Sequence, residues 1–178
     1  MSSKIYFWSD QHLNHEKIYQ LPFPSAKDKT KPMRSFSCAK EADEYMIEQY
    51  NSIVNKGDRV YFVGDIAMSK KGLALMSRMQ KGHNYLVMGN HDNQAPITEY
   101  AKYFNKIYGL LYLKKLGCIV SHCPLHTNFE GNGRFKYNIH GHLHDHFIDD
   151  ARYLNVSVEH TGYKPILFEE LLKLWNTN

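Results

Sequence analysis

Short apolar runs recur along the chain, and several of them end directly in polar side chains. The clearest run covers residues 85–88 and continues as Gly89, Asn90, His91 and Asp92. A short apolar run closed by a glycine is typical of a buried strand in an α/β sheet, and such sheets present functional groups beyond the carboxyl ends of their strands. The pattern therefore predicts a strand that delivers Asn90, His91 and Asp92 to a cleft.

The same pattern predicts the other elements. Apolar runs predict strands at 5–8, 59–63, 107–113, 118–120, 137–139 and 153–158, and three- to four-residue periodicity predicts helices at 39–55, 71–80, 97–104 and 166–175. Helices that follow short strands are typical of an α/β domain. The polar segment 17–37 contains three prolines, and a loop of this length in a compact domain is usually functional or disordered.

Composition limits the class of protein. The 178 residues fit one domain, 1–178, and the net charge of +4 is too small to indicate nucleic-acid binding. Three cysteines, an odd number without a close pair, indicate a reducing environment, so we expect a cytoplasmic protein. No apolar run approaches the roughly 18 residues of a membrane span, and no membrane association is expected.

Five predicted strand ends carry side chains that can bind a metal. They are Asp10 with His12, Asp65, Asn90 with His91, His122, and His142 with His144. A single histidine of this kind is more often a core or surface residue, but five ends with the same character indicate a site. Imidazole and carboxylate groups together suit zinc, manganese, iron or nickel, and the absence of cysteine at these positions argues against a structural zinc site.

The spacing of these residues favours two ions over one. Residues two apart in an extended segment point to the same side, so Asp10 with His12, and His142 with His144, can each approach one centre. One ion needs only three or four ligands, whereas the full set fits two ions about 3.5–4 Å apart that share a carboxylate. Asp65 stands alone on its strand and is the predicted bridge.

In chain order, these motifs resemble the five signature blocks of the calcineurin-like metallophosphoesterase superfamily. The blocks are Asp10-x-His12, Gly64-Asp65, Gly89-Asn90-His91-Asp92, His122, and Gly141-His142-x-His144. Further segments resemble a small single-domain bacterial and phage branch: Arg34-x-Phe36, Ser121-His122-x-Pro124, and Asn155-Val156-x-Val158-Glu159. The chain departs from the commonest family pattern at Gln11, between Asp10 and His12, where a small hydroxyl residue is usual. This difference removes no metal ligand.

The resemblance implies a four-layer α-β-β-α sandwich of two mixed β-sheets with helices on both outer faces. It also implies two divalent metal ions, with manganese expected and nickel, iron or zinc as alternatives. The first ion would be held by Asp10, His12 and His144, the second by Asn90, His122 and His142, and Asp65 would bridge them. A bridging hydroxide would attack phosphorus in line, and His91 would contact the phosphate and donate a proton.

Three more residues are predicted from their chemistry. Asp92 is expected to orient the imidazole of His91 or keep it protonated. Arg34 is expected to clamp a substrate oxygen, because a guanidinium matches phosphate geometry, with a solvated loop arginine as the alternative. His15, three residues beyond His12, is expected on the substrate side of the first ion, and Asn90 is expected near the substrate as well.

The resemblance implies an enzyme, a metal-dependent phosphodiesterase acting on small or cyclic nucleotide-type substrates, possible examples being 2′,3′-cyclic phosphates. In this superfamily the second histidine of the last block, His144 here, accompanies diesterase activity. The alternatives are a phosphomonoesterase, a nuclease acting on nucleic-acid ends, or a non-catalytic metal-binding scaffold. The modest charge and single domain argue against the nuclease and a stable nucleic-acid partner. We expect the 17–37 loop to set substrate choice; the sequence leaves the oligomeric state open.

Overall fold

The computed structural model describes residues 3–20, 32–130 and 133–176. The strands are β1 Ile5–Trp8, β2 Arg59–Phe62, β3 His83–Val87, β4 Lys106–Tyr108, β5 Leu111–Leu113, β6 Cys118–Val120, β7 Tyr137–His140, β8 Tyr153–Asn155 and β9 Ile166–Leu167. The α-helices are α1 Ala39–Ile53, α2 Lys70–Ala74, α3 Ile97–Tyr100, α4 Val158–Thr161 and α5 Phe168–Asn176. Short 3₁₀ segments cover Glu16–Tyr19, Leu75–Arg78, Lys114–Leu116 and Thr127–Glu130.

The strands form two mixed sheets. The five-stranded sheet has the order β4-β3-β2-β1-β9, in which β1 to β4 are parallel and β9 is antiparallel to β1. The four-stranded sheet has the order β5-β6-β7-β8, in which β5 is antiparallel to β6 and the others are parallel. The predicted α/β fold with two mixed sheets is confirmed.

Two apolar cores lie on opposite faces of the five-stranded sheet. Trp8 and Phe62 pack with Met46 of α1 in the first core, whereas Phe7 packs with Ile139 of the four-stranded sheet in the second. Successive residues of a strand point to opposite faces, so β1 is buried on both sides and reads as a continuous apolar run. A helical layer outside the four-stranded sheet remains a prediction.

Several predicted elements have different boundaries. The run 107–113 is two strands in different sheets, because the chain leaves β4 at Gly109 and Leu110 and enters β5. The helix predicted at 71–80 is α2 followed by a 3₁₀ segment, and the helix predicted at 97–104 is only α3. Residues 166 and 167 form β9 before α5 begins. Local periodicity does not reveal the changes in the strands, since pairing with a distant strand decides them.

Parts of two predicted loops lie outside the described residues, namely 21–31 and 131–132. The described remainder of the 17–37 segment is not wholly exposed, because Ile18, Tyr19, Met33 and Arg34 are buried. Within the part of the chain that the structure covers, no helix is both long and apolar enough to cross a membrane. Cys38, Cys118 and Cys123 are all free thiols.

The two sheets meet at one end, and this junction positions the site. Beyond β1, the amide of Ser9 donates to Val156 O at 3.0 Å, and the amide of Val158 donates to Ser9 O at 3.0 Å. A parallel bridge therefore joins Ser9 to Ser157 where both sheets end. The carboxyl ends of β1, β2, β3, β6 and β7 converge there, at the edge where α/β sheets place their ligands.

Candidate metal centre

Left-handed backbone conformations are concentrated at this edge. Among the described residues, seven that are not glycine have positive φ, and six of them follow the converging strands: Asp10, His12, Asn14, Asp65, His142 and His144. Aspartate, asparagine and histidine tolerate this region better than most residues, yet each such position costs on the order of 1–3 kcal/mol. Strain of this kind persists where surrounding bonds enforce it, and it is typical of functional sites.

The first group consists of Asp10, His12 and His144, whose ligand atoms lie within 4.8 Å of one another. His12 Nε2 is 3.8 Å and His144 Nε2 is 4.0 Å from Asp10 Oδ1. His12 is 3% exposed, and among the described residues neither of its ring nitrogens has a hydrogen-bond partner. Burial, with Arg34 nearby, lowers the pKa of His12 well below its usual value. A neutral buried imidazole with an unused lone pair fits a metal ligand.

The second group consists of Asp65, Asp10 and His122, so it shares Asp10 with the first group. Asp65 Oδ2 is 3.7 Å from His12 Nε2 and 3.3 Å from His122 Nε2, while Asp65 Oδ1 accepts the His91 amide at 2.8 Å. One oxygen is therefore held by the backbone and the other faces histidines from two strand ends. This is the placement expected of a carboxylate shared by two ions.

His122 is oriented by the backbone behind it. Its Nδ1 is 2.8 Å from Val63 O and must donate, so Nε2 faces Asn90 Oδ1 at 3.0 Å as well as Asp65. Burial would lower the pKa of His122, but Asp65 and Asp10 outweigh it and raise the pKa to about 9. The surrounding oxygens thus favour positive charge at this point, and a metal cation would satisfy them as a proton does.

The third group joins His122 to His142 and Cys123, again with ligand atoms within 4.8 Å. The two imidazole rings are 5.1 Å apart between centroids. Burial, together with Asp65 and Asp10, raises the pKa of the Cys123 thiol. None of the predicted ligand positions is a cysteine, but Cys123 lies beside two of them, which the sequence pattern did not indicate.

Hydrogen bonds and close packing hold Asp10 in place. Its Oδ2 accepts the Ser157 hydroxyl at 3.0 Å and the His142 amide at 3.0 Å. Gly141 lies so close that a Cβ there would overlap Ser9 Oγ and Asp10 Oδ2. The loop that carries His142 is consequently fixed against the loop that carries Asp10.

The predicted role of Arg34 is corrected. Arg34 is 0% exposed, and its guanidinium donates to Asp10 O at 2.5 Å, to Gln11 O at 2.8 Å and to Glu159 Oε1 at 3.0 Å. These bonds place it behind the ligand loop, where it cannot clamp a substrate. Arg34 instead fixes the strained backbone between Asp10 and His12.

Glu159 is a site residue that the sequence did not single out. Its Oε1 is 2.9 Å from Arg34 Nη2 and 3.1 Å from His144 Nδ1, which directs Nε2 of that ring toward Asp10. Burial alone would raise the pKa of Glu159, but Arg34 and His144 outweigh it and lower the pKa to about 2. A carboxylate behind a histidine is the usual support of a metal ligand. The sequence offered one indication of this residue, because Glu159 ends the segment Asn155-Val156-x-Val158-Glu159 that resembles the family.

The predicted role of Asp92 is also corrected. Its Oδ1 accepts the Ile66 amide at 2.9 Å, and its Oδ2 accepts the amides of Asp65 at 2.9 Å and Gly89 at 2.8 Å. Burial raises the pKa of Asp92 to about 6. Both oxygens are used to join the turns after β2 and β3, so Asp92 fixes Asp65 and does not orient the His91 ring.

His91 and His15 lie beside the first group. Their ring centroids are 5.6 Å and 5.7 Å from that of His12, and both residues are partly exposed. Asn90 is exposed and contacts His122. The structure therefore brings together all seven predicted metal ligands, with His91 and His15 at their rim, and places Arg34 and Asp92 behind them, bonded to backbone atoms of Asp10 and Asp65.

Comparison with known proteins gives the fold but no activity. No family model matches the chain. The uncharacterized protein MJ1445 of Methanocaldococcus jannaschii is 28% identical over 184 residues, which cover 96% of this chain and 90% of that protein. The protein of unknown function AQ665 from Aquifex aeolicus matches with a TM-score of 0.70 and 23% identity, over 97% of this chain and 100% of its own. The Aquifex crystal structure thus shares this fold.

Two glycines test how tightly the site is packed. A Cβ at Gly89 would overlap Asp65 Oδ1 and lie 2.6 Å from Asp65 N, whereas a Cβ at Gly109 has no described neighbour within 4 Å. We expect Gly89→Ala to lower the free energy of unfolding by about 1–3 kcal/mol and to weaken metal binding, because Asp65 must move. Gly109→Ala should stay within about 0.5 kcal/mol. Urea unfolding and metal titration measure both effects, and equal results would contradict the packing argument.

Proposed function

We propose that this protein is a two-metal phosphoesterase that hydrolyses small phosphodiesters. The observation that carries the proposal is the placement of Asp65 Oδ2, which is 3.7 Å from His12 and 3.3 Å from His122, histidines that belong to separate ligand groups. Nitrogen and oxygen donors surround this carboxylate on both sides. A set of this size and chemistry fits two borderline divalent ions that share one carboxylate.

The ligands divide between the two sides of Asp65. The first ion would be held by Asp10, His12 and His144, and the second by Asn90, His122 and His142. We expect manganese, with nickel, iron or zinc as alternatives. When bound, the two ions would supply positive charge for the phosphoryl oxygens and lower the pKa of water at the site.

The residues at the rim would handle the substrate. His91 is fixed through its amide, which donates to Asp65 Oδ1 at 2.8 Å, while its ring remains partly exposed beside His12. A ring so placed can contact a phosphate oxygen and donate a proton to the leaving oxygen. His15 lies at a similar distance from His12 and would contact the same substrate beside the first ion.

A small diester is the preferred substrate class. The net charge of the protein is only +4, which is too small for extensive contacts with a phosphate backbone. Binding of a long nucleic acid is therefore disfavoured. His144 belongs to the first group, and Glu159 fixes the orientation of its ring. In the family that this chain resembles, a histidine at this position accompanies diesterase activity. A phosphomonoesterase and a nuclease acting on ends are the alternatives within the same chemistry.

The decisive experiment measures metal-dependent turnover. Protein stripped of metal and restored with Mn, Ni, Zn or Mg would be assayed with bis-p-nitrophenyl phosphate, p-nitrophenyl phosphate, cyclic nucleotides and nucleotide monophosphates. We expect turnover only after restoration, with diesters preferred. No turnover of any ester with any of these ions would overturn the proposal, and metal binding without turnover would favour the non-catalytic scaffold.

A second measurement separates His91 from the metal ligands. His91→Ala should retain bound metal but lose turnover by about 10²-fold or more, the usual contribution of a general acid. His83 is a matched control, because it is exposed at the opposite end of the same strand, β3. His83→Ala should leave metal content and turnover unchanged. Loss of metal from His91→Ala would instead make His91 a ligand.

A further inference from the structure

Cys123 lies in the loop that carries His122, and buried polar residues fix this loop. The Ser121 hydroxyl donates to Cys123 O at 2.8 Å and accepts from Asn138 Nδ2 at 3.0 Å. Asn138 is 0% exposed and Ser121 is 5% exposed. Pro124 follows directly and restricts the backbone of Cys123 further. The backbone at Cys123 is thus held at a defined position, while the residue itself is exposed.

That position places sulfur among metal-ligand atoms. The sulfur of Cys123 and the ring nitrogens of His122 and His142 lie within 4.8 Å of one another. His122 Nδ1 is used by Val63 O, which leaves Nε2, 3.0 Å from Asn90 Oδ1, as the nitrogen available to an ion. Asp65 Oδ2, 3.3 Å from that Nε2, adds an oxygen on the same side.

The other two cysteines have ordinary surroundings. Cys118 is buried in β6, and its sulfur contacts Leu116 O at 3.2 Å. Cys38 is half-buried at the start of α1, beside the Ser37 hydroxyl at 3.9 Å. Among the residues that the structure describes, neither belongs to a group of potential metal ligands.

We propose that, as the second ion binds, Cys123 releases its thiol proton to solvent and its sulfur becomes a ligand alongside Asn90, His122, His142 and Asp65. This inference rests on the metal centre proposed above and adds a sulfur donor to it. Thiolate favours softer ions, and one sulfur with two nitrogens and two oxygens forms a set that zinc or cobalt accepts readily. The second ion would therefore be selected for zinc-like metals over magnesium.

Cobalt(II) provides a direct test that does not depend on turnover. Metal-free native protein titrated with Co²⁺ should develop a thiolate-to-cobalt charge-transfer absorption in the near ultraviolet, and Cys123→Ser should lose this band. Zinc binding in competition with a chromophoric chelator should weaken by about tenfold or more in Cys123→Ser. Magnesium binding should be unchanged. Cys38→Ser is the matched control, and it should keep both the band and the zinc affinity.

The outcomes separate this inference from the proposed function. Bound cobalt without a charge-transfer band in native protein, or a band that survives in Cys123→Ser, would overturn the role of Cys123 and leave the metal centre standing. Failure of native protein to bind cobalt or zinc would contradict the metal centre itself. A band in a protein that hydrolyses no phosphoester would support the ligand and reject the enzyme.

Discussion

Asp65→Asn should reduce metal-dependent phosphodiester hydrolysis by about 10³-fold or more, because a lost contribution of several kcal/mol corresponds to that factor. Asp65 Oδ1 accepts the His91 amide at 2.8 Å, and the amide oxygen of asparagine can keep this bond. The new NH₂ group would then replace Oδ2, which now faces His12 and His122. A neutral donor would stand where a shared negative charge is needed, so metal binding should fall with turnover.

Asp58 is the matched control for this substitution. It is 5% exposed at the other end of the same strand, β2, and its oxygens accept the amides of Lys4 and Asn55 at 2.9 Å each. Asp58→Asn should cost some stability but leave metal content and turnover per folded molecule intact. Metal analysis and steady-state assays on Asp65→Asn and Asp58→Asn compare substitutions at the two ends of β2. Full metal content and activity in Asp65→Asn would remove Asp65 from the centre.

Arg34→Met should lower the free energy of unfolding by about 3–5 kcal/mol, since breaking a buried ion pair leaves an uncompensated charge. Arg34 is 0% exposed, and its partner Glu159 has a side chain that is 4% exposed. The substitution also removes the donors to Asp10 O and Gln11 O. Because the Asp10 loop is strained, we expect weaker metal binding as well as lower stability.

Two comparisons make the Arg34 result specific. Arg78 pairs with Glu44 at 2.6 Å on the surface, with side chains 46% and 50% exposed, so Arg78→Met should cost no more than about 1 kcal/mol. Adding Glu159→Gln to Arg34→Met should restore part of the lost stability, because the orphaned charge is removed. Urea unfolding of the three variants measures these differences. Equal losses for Arg34→Met and Arg78→Met would contradict the role of the buried pair.

The local sequence determined which residues are candidate metal ligands. Each predicted ligand follows a short apolar run, and a parallel strand delivers the residues after it to one edge of the sheet. For that reason Asp10, Asp65 and His122 could be placed together without knowing how the strands pair. The α/β class was accessible by the same route, because apolar runs and amphipathic helices are local patterns.

Only the tertiary structure decided which polar residues support those ligands. Arg34 and Glu159 are 125 residues apart and meet behind Asp10, while the amide of His142 reaches the Asp10 carboxylate across 132 residues. Asp92 is next to His91 in sequence, yet its oxygens bind the backbone of another strand end. Each of these groups takes the role that burial and long-range hydrogen bonding impose, and the order of the neighbouring residues does not specify that role.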